Sequence, residues 1–97
     1  MFTLPQDMTI HNVKTIQTEL LDYIEMQIGE NKSKLILDAK EVDDIDAAGL
    51  QVLLSAYLTA QEEKISFELK NNAGYLNEVL NLSGVSDVLD LREGGSN

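Results

Sequence analysis

Leu35-Ile36-Leu37-Asp38-Ala39-Lys40-Glu41-Val42-Asp43-Asp44-Ile45-Asp46-Ala47-Ala48-Gly49-Leu50-Gln51-Val52-Leu53-Leu54 carries more structural information than any other part of this chain. An unbroken apolar run ends at Asp38, an acidic loop follows, and Asp46 stands before three small residues that open a helix. Runs of this kind mark strands covered on both faces, so Leu35 to Leu37 predict a central strand. The loop then delivers a helix N-terminus to the surface. Its first N–H groups have no intrahelical partners and carry partial positive charge, which suits a carboxylate cap or a phosphate.

Downstream, Leu50, Leu53, Leu54 and Tyr57 recur at helical spacing, while Gln51, Ser55, Thr59 and Glu62 fall on the opposite, wet side. Leu58 lies near that wet side, either as an edge of the core or as a contact for a partner. Ile65, Phe67 and Leu69 alternate with Ser66, Glu68 and Lys70, the pattern of a strand buried on one face. Asn71 and Asn72 turn the chain into a short helix bearing Leu76, Val79 and Leu80, which Ser83-Gly84 ends. Val85 to Leu91 forms a last short helix or strand, and Glu93 to Asn97 reads as a frayed tail.

Upstream, Glu30 to Lys34 is a polar turn. Before it, Val13, Ile16, Leu20, Leu21, Ile24 and Ile28 mark an amphipathic helix, with Thr9 expected as N-cap and Gly29 as C-terminal stop. Phe2 to Leu4 predicts a short strand halted by Pro5. Strands and helices thus alternate, so the expected class is α/β: a small sheet of about four strands with helices packed largely on one side. A chain of 97 residues fits one domain over 1–97, burying roughly 60 to 70% of the surface its unfolded form exposes.

Seventeen acidic residues against seven basic give a net charge of −10, which opposes binding to nucleic acid or to anionic lipid. No apolar run reaches the roughly 20 residues needed to span a bilayer, and the N-terminus lacks the basic and apolar regions of a signal peptide. There is no cysteine, so disulfides, thiol chemistry and Cys-based zinc sites are excluded. A cytoplasmic location is expected from these features.

Catalysis would have to begin from carboxylates. His11 is the single histidine and has no recognisable serine or cysteine nucleophile beside it; no Gly-rich phosphate loop is present. Asp38, Asp43, Asp44 and Asp46 can in principle gather a hard cation, but their spacing does not match an EF-hand loop. Asp38 ends its strand as a receiver-domain phospho-acceptor does, yet the paired acidic residues and downstream lysine expected around such an acceptor are not recognisable. No enzyme and no cofactor is expected. An acidic metal- or phosphate-binding site around Asp38 and Asp46 stands as the alternative of a different class.

Val42-Asp43-Asp44-Ile45-Asp46-Ala47-Ala48-Gly49-Leu50, placed after a strand and leading into an amphipathic helix, resembles the signature of the STAS domain, the family of sulfate transporter and anti-sigma factor antagonist domains. Leu4 and Thr9-Ile10 resemble the family's entry to its first helix, and Ile65 to Lys70 the strand after the signature. Leu76 to Val85 resembles the segment ending in Leu-x-Gly before an apolar residue. The resemblance implies a STAS-like fold and a non-enzymatic bacterial signalling module that binds a regulatory partner protein.

In antagonists of this family the residue after the motif aspartate is a serine or threonine, phosphorylated by the cognate anti-sigma kinase to switch binding off. Ala47 occupies that position here and has no hydroxyl, so the switch would be inert. A phosphate there would add about −1.5 to −2 charges beside Asp43, Asp44 and Asp46. The alanine fits a constitutive binder, a member of another pathway, or an engineered Ser-to-Ala form. The implied interface is Asp43, Asp44, Asp46, Ala47, Ala48, Gln51, Ser55 and Leu58, and the implied partner an anti-sigma factor with serine-kinase activity. The short N-terminus and Asp-Ala-Ala-Gly-Leu-Gln also resemble the stand-alone STAS proteins of chemotaxis systems, whose partner would be a chemotaxis kinase or receptor.

Overall fold

The computed structural model describes residues 1–72 and 74–88; the end of the last expected element and the expected tail lie outside them. The chain runs β1 (Phe2–Thr3), β2 (Asp7–Met8), α1 (Val13–Gly29), β3 (Lys34–Asp38), β4 (Asp44–Ile45), α2 (Ala47–Glu62), β5 (Ser66–Lys70), α3 (Tyr75–Ser83) and α4 (Val85–Val88). The sheet is divided. Three strands form a parallel unit in the order β1-β3-β5, and β2 pairs with β4 as a separate parallel ribbon.

β3 is the central strand, as its apolar run predicts. Register sets Phe2 beside Leu37, Leu35 beside Phe67 and Leu37 beside Leu69 on one face. Both long helices lie on that face: Tyr23 of α1 meets Phe2 with ring centroids 5.6 Å apart, and Tyr57 of α2 meets Phe67 edge-on at 5.6 Å. The other face carries Thr3, Lys34, Ser66 and Lys70 in the open, with Ile36 and Glu68 half-buried. β3 is therefore covered fully on one face only, not on both as its apolar run suggests. A salt bridge of 3.4 Å between Lys34 and Glu68 lies on this open side.

The core gathers Leu4, Met8, Ile16, Leu35, Leu37, Leu53 and Leu80, all fully buried. α2 buries Gly49, Val52, Leu53, Ala56 and Ala60, whereas Leu50, Leu54 and Tyr57 are only half-buried. The buried face is rotated from the one its large residues mark, because glycine and alanine bring the helix backbone close to its neighbours. On α1, Ile16, Leu20 and Ile24 are buried, but Leu21 remains half exposed at the edge of the groove between α1 and α2.

The helix ends also differ from expectation. Thr9 does not cap α1; Asn12 holds the N-cap position without a side-chain bond. The Thr9 hydroxyl is committed to Asp7 at 2.6 Å, and it is the Thr9 carbonyl that accepts the N–H groups of Asn12 and Val13. α1 does end at Gly29, as its sequence predicts, but the left-handed residue that reverses the chain is Asn31, with φ 58°, where the N–H of Asn31 bonds the Ile28 carbonyl and that of Lys32 the Gln27 carbonyl. This is the paired-bond ending that satisfies a helix's last carbonyls. α2 ends the same way at Lys64, with φ 60°, while Gly84 closes α3 at φ 82° as its sequence foretells.

Candidate functional site

Asp46 organises the loop that enters α2. Its backbone is extended, and its Oδ1 accepts the N–H groups of Ala48 at 2.9 Å and Gly49 at 3.1 Å. This is a carboxylate N-cap, favoured by the helix dipole as well as by the hydrogen bonds. Its Oδ2 accepts the N–H of Ile10 from the β2–α1 loop at 3.0 Å. The Ile10 bond, followed by those from Gly49 and Ala48, holds the carboxyl below its ordinary value of 3.8 against the opposing effect of desolvation. The helix start is thus filled by the protein's own carboxylate.

The β2–β4 ribbon places this cap. Asp7 pairs with Asp44 and Met8 with Ile45, and the Gln6 carbonyl accepts the N–H groups of Asp43 at 2.9 Å and Asp44 at 3.1 Å. Gly49 packs against the ribbon so closely that a Cβ would fall on the Met8 carbonyl oxygen and within 2.7 Å of Ile45 Cγ1. On the neighbouring loop, Asp7 accepts both the hydroxyl and the N–H of Thr9, which lower its pKa in that order.

Of the expected interface residues, Asp43, Asp44, Ala47, Gln51, Ser55 and Leu58 are exposed, while Asp46 and Ala48 are half-buried. Ala47, Gln51, Ser55 and Leu58 follow one another at helical spacing, so they share one stripe of α2. Neither Asp43 nor Asp44 takes part in an ion pair among the described residues. Two apolar residues beside this stripe have no counterpart in the sequence expectation. Ile10, 64% exposed, is tied to Asp46, and Tyr75, 48% exposed, has its hydroxyl 3.5 Å from the Ile45 carbonyl. Ile10 falls outside the α1 stripe, and that was the available signal; Tyr75 gave none, because its contact is made 30 residues away.

Asp38 is built into the C-terminal end of β3. It is buried, its Oδ1 accepts Asn71 Nδ2 at 2.9 Å and the Lys40 N–H at 3.0 Å, and Lys40 Nζ lies 3.9 Å from Oδ2. The Asn71 bond, then the Lys40 N–H, lower its pKa. The oxygens of Asp38 and Asp46 are engaged in separate hydrogen-bond sets, and no group of three or more His, Cys, Asp or Glu able to hold a metal occurs among the described residues. His11 is exposed, and its backbone N–H lies 3.4 Å from the Thr9 hydroxyl. The groove between α1 and α2 encloses about 10 Å³, room for a single water and not for a ligand. No helix among the described residues is long and apolar enough to cross a membrane.

Searches of curated proteins and of solved structures return no match to this sequence. A family model, that of the STAS domain, matches residues 1–94. With nearly the whole chain covered, and with the acidic loop, the capped helix and the parallel strands in place around it, this protein belongs to the STAS domain family.

Proposed function

We propose that this chain is a non-enzymatic protein-binding module of bacterial signalling, similar to anti-sigma factor antagonists, acting in the cytoplasm. Its docking surface is formed by Asp43, Asp44, Asp46, Ala47, Ala48 and Gln51, continued along α2 by Ser55 and Leu58. The observation that carries this is Ala47. It is the first residue of α2, directly after the Asp46 cap, and exposed; by resemblance to the family's signature it corresponds to the position where antagonists carry the phosphorylated hydroxyl. Membership of the STAS family supports a protein partner, and the carboxylates of Asp43 and Asp44, which form no ion pair among the described residues, favour one that brings positive charge.

Without a hydroxyl at Ala47, no kinase can install charge there, so the chain is held in its binding form. Its partner is a regulatory protein of the anti-sigma kinase type. The test is a pull-down from the native cytoplasm with this chain beside Ala47→Ser, with mass spectrometry of the partners and of the introduced serine. Capture of an anti-sigma kinase by the unaltered chain, with phosphate on the variant alone, is the expected result. Capture of a chemotaxis kinase or receptor without phosphorylation would assign the chain to chemotaxis signalling instead, and capture of no signalling protein would remove the proposal.

A further inference from the structure

The β2–α1 loop is closed almost entirely on itself. Thr9 bonds Asp7 through its N–H and its hydroxyl, the Asn12 side chain donates to the Asp7 carbonyl at 2.9 Å, and the His11 N–H lies 3.4 Å from the Thr9 hydroxyl. One hydrogen bond leaves this set for α2, from the Ile10 N–H to Asp46 Oδ2, between residues 36 apart in sequence. That bond fixes the backbone of Ile10, whose large apolar side chain is exposed.

We propose that Asp46 is a positioning residue with two tasks, one oxygen capping α2 and the other latching the Ile10 loop to it, so that Ile10 and Ala47 are presented as one surface. The purpose of the latch rests on the docking function proposed above; the latch itself rests on geometry and needs no partner to be tested. Only a carboxylate does both jobs at this distance. An asparagine keeps an acceptor for Ala48 and Gly49 but turns an N–H2 donor toward the Ile10 N–H, so the cap survives and the latch does not. A serine caps the helix but has no second oxygen for the loop.

The test uses the full chain, labelled for NMR. An amide proton bonded to a carboxylate shifts as that carboxylate titrates. The amides of Ile10, Ala48 and Gly49 are expected to move with one common midpoint, while that of Thr9 follows Asp7, a separate carboxylate that feels the charges of His11 on the same loop and of Asp46 itself. In Asp46→Asn, hydrogen exchange at Ile10 is expected to speed up by about tenfold or more, with Ala48 and Gly49 held within about threefold. An Ile10 amide that ignores the titration overturns the latch, as does equal acceleration of all three amides in the variant. If Asp46→Asn does not fold, the titration of the unaltered chain decides alone. If the latch is present and Ile10→Ser leaves capture of an identified partner unchanged, the docking role fails while the latch stands.

Discussion

At Gly49 the backbone of α2 touches the backbone of β2, and no side chain of any size fits between them. The Met8 carbonyl oxygen occupies the place a Cβ would take, and backbone cannot step aside as the end of a flexible side chain can. Gly49→Ala is therefore expected to destabilise the fold by about 3 kcal/mol, read as a lower urea midpoint. Its φ is ordinary, so the cost is steric and not conformational. Ala47, two residues earlier, meets the opposite circumstance: it is exposed and accepts a larger side chain without disturbing the fold. Within one helical turn, packing therefore dictates one position and leaves the other to function.

Among the elements, those with strong periodicity or composition were legible in the sequence and those that depend on distant contacts were not. The central strand, the alternating β5 and the Asp46 cap follow from local pattern. β2 and β4 span two residues each, too few for any alternation to show, and exist because Gln6 and Gly49 bring the two segments together. The buried side of α2 was misplaced by counting large residues, since Gly49, Ala56 and Ala60 mark it by their smallness. The shared stripe of Ala47, Gln51, Ser55 and Leu58 on α2 follows from spacing alone, whereas Ile10 and Tyr75 come to the Asp46 loop only through the fold. Helix endings give a prediction at this scale. Lys64 terminates α2 with φ 60°, a conformation that carries a penalty for a residue with a Cβ and none for glycine. Lys64→Gly is expected to stabilise the protein by about 0.5 to 1 kcal/mol, the gain in strain relief outweighing the added freedom of the unfolded chain, and to raise the urea midpoint.

For the whole molecule, the parallel connections bring the C-terminal strand ends and the starts of α1 and α2 to one side, and three aspartates there share a response to acid. Asp7, Asp38 and Asp46 each have a folded pKa below the ordinary 3.8, so the unfolded chain binds more protons than the folded one as pH drops. Their stabilisation is complete above about pH 5 and is lost as pH falls through the depressed folded values. Circular dichroism of urea unfolding at a series of pH values is expected to show stability falling steadily below about pH 5, with a shallower slope in Asp38→Asn. The separate β2–β4 ribbon has a further consequence, for the order in which the protein is made. Asp7 pairs with Asp44, and the Ile10 loop closes on a residue 36 positions later, so the docking surface we propose has no local precursor. A ribosome must release the whole first half of the chain before the N-terminal segment finds its place. During synthesis this surface takes shape only after Asp46 has emerged, and a nascent chain shorter than that has nothing to offer a partner.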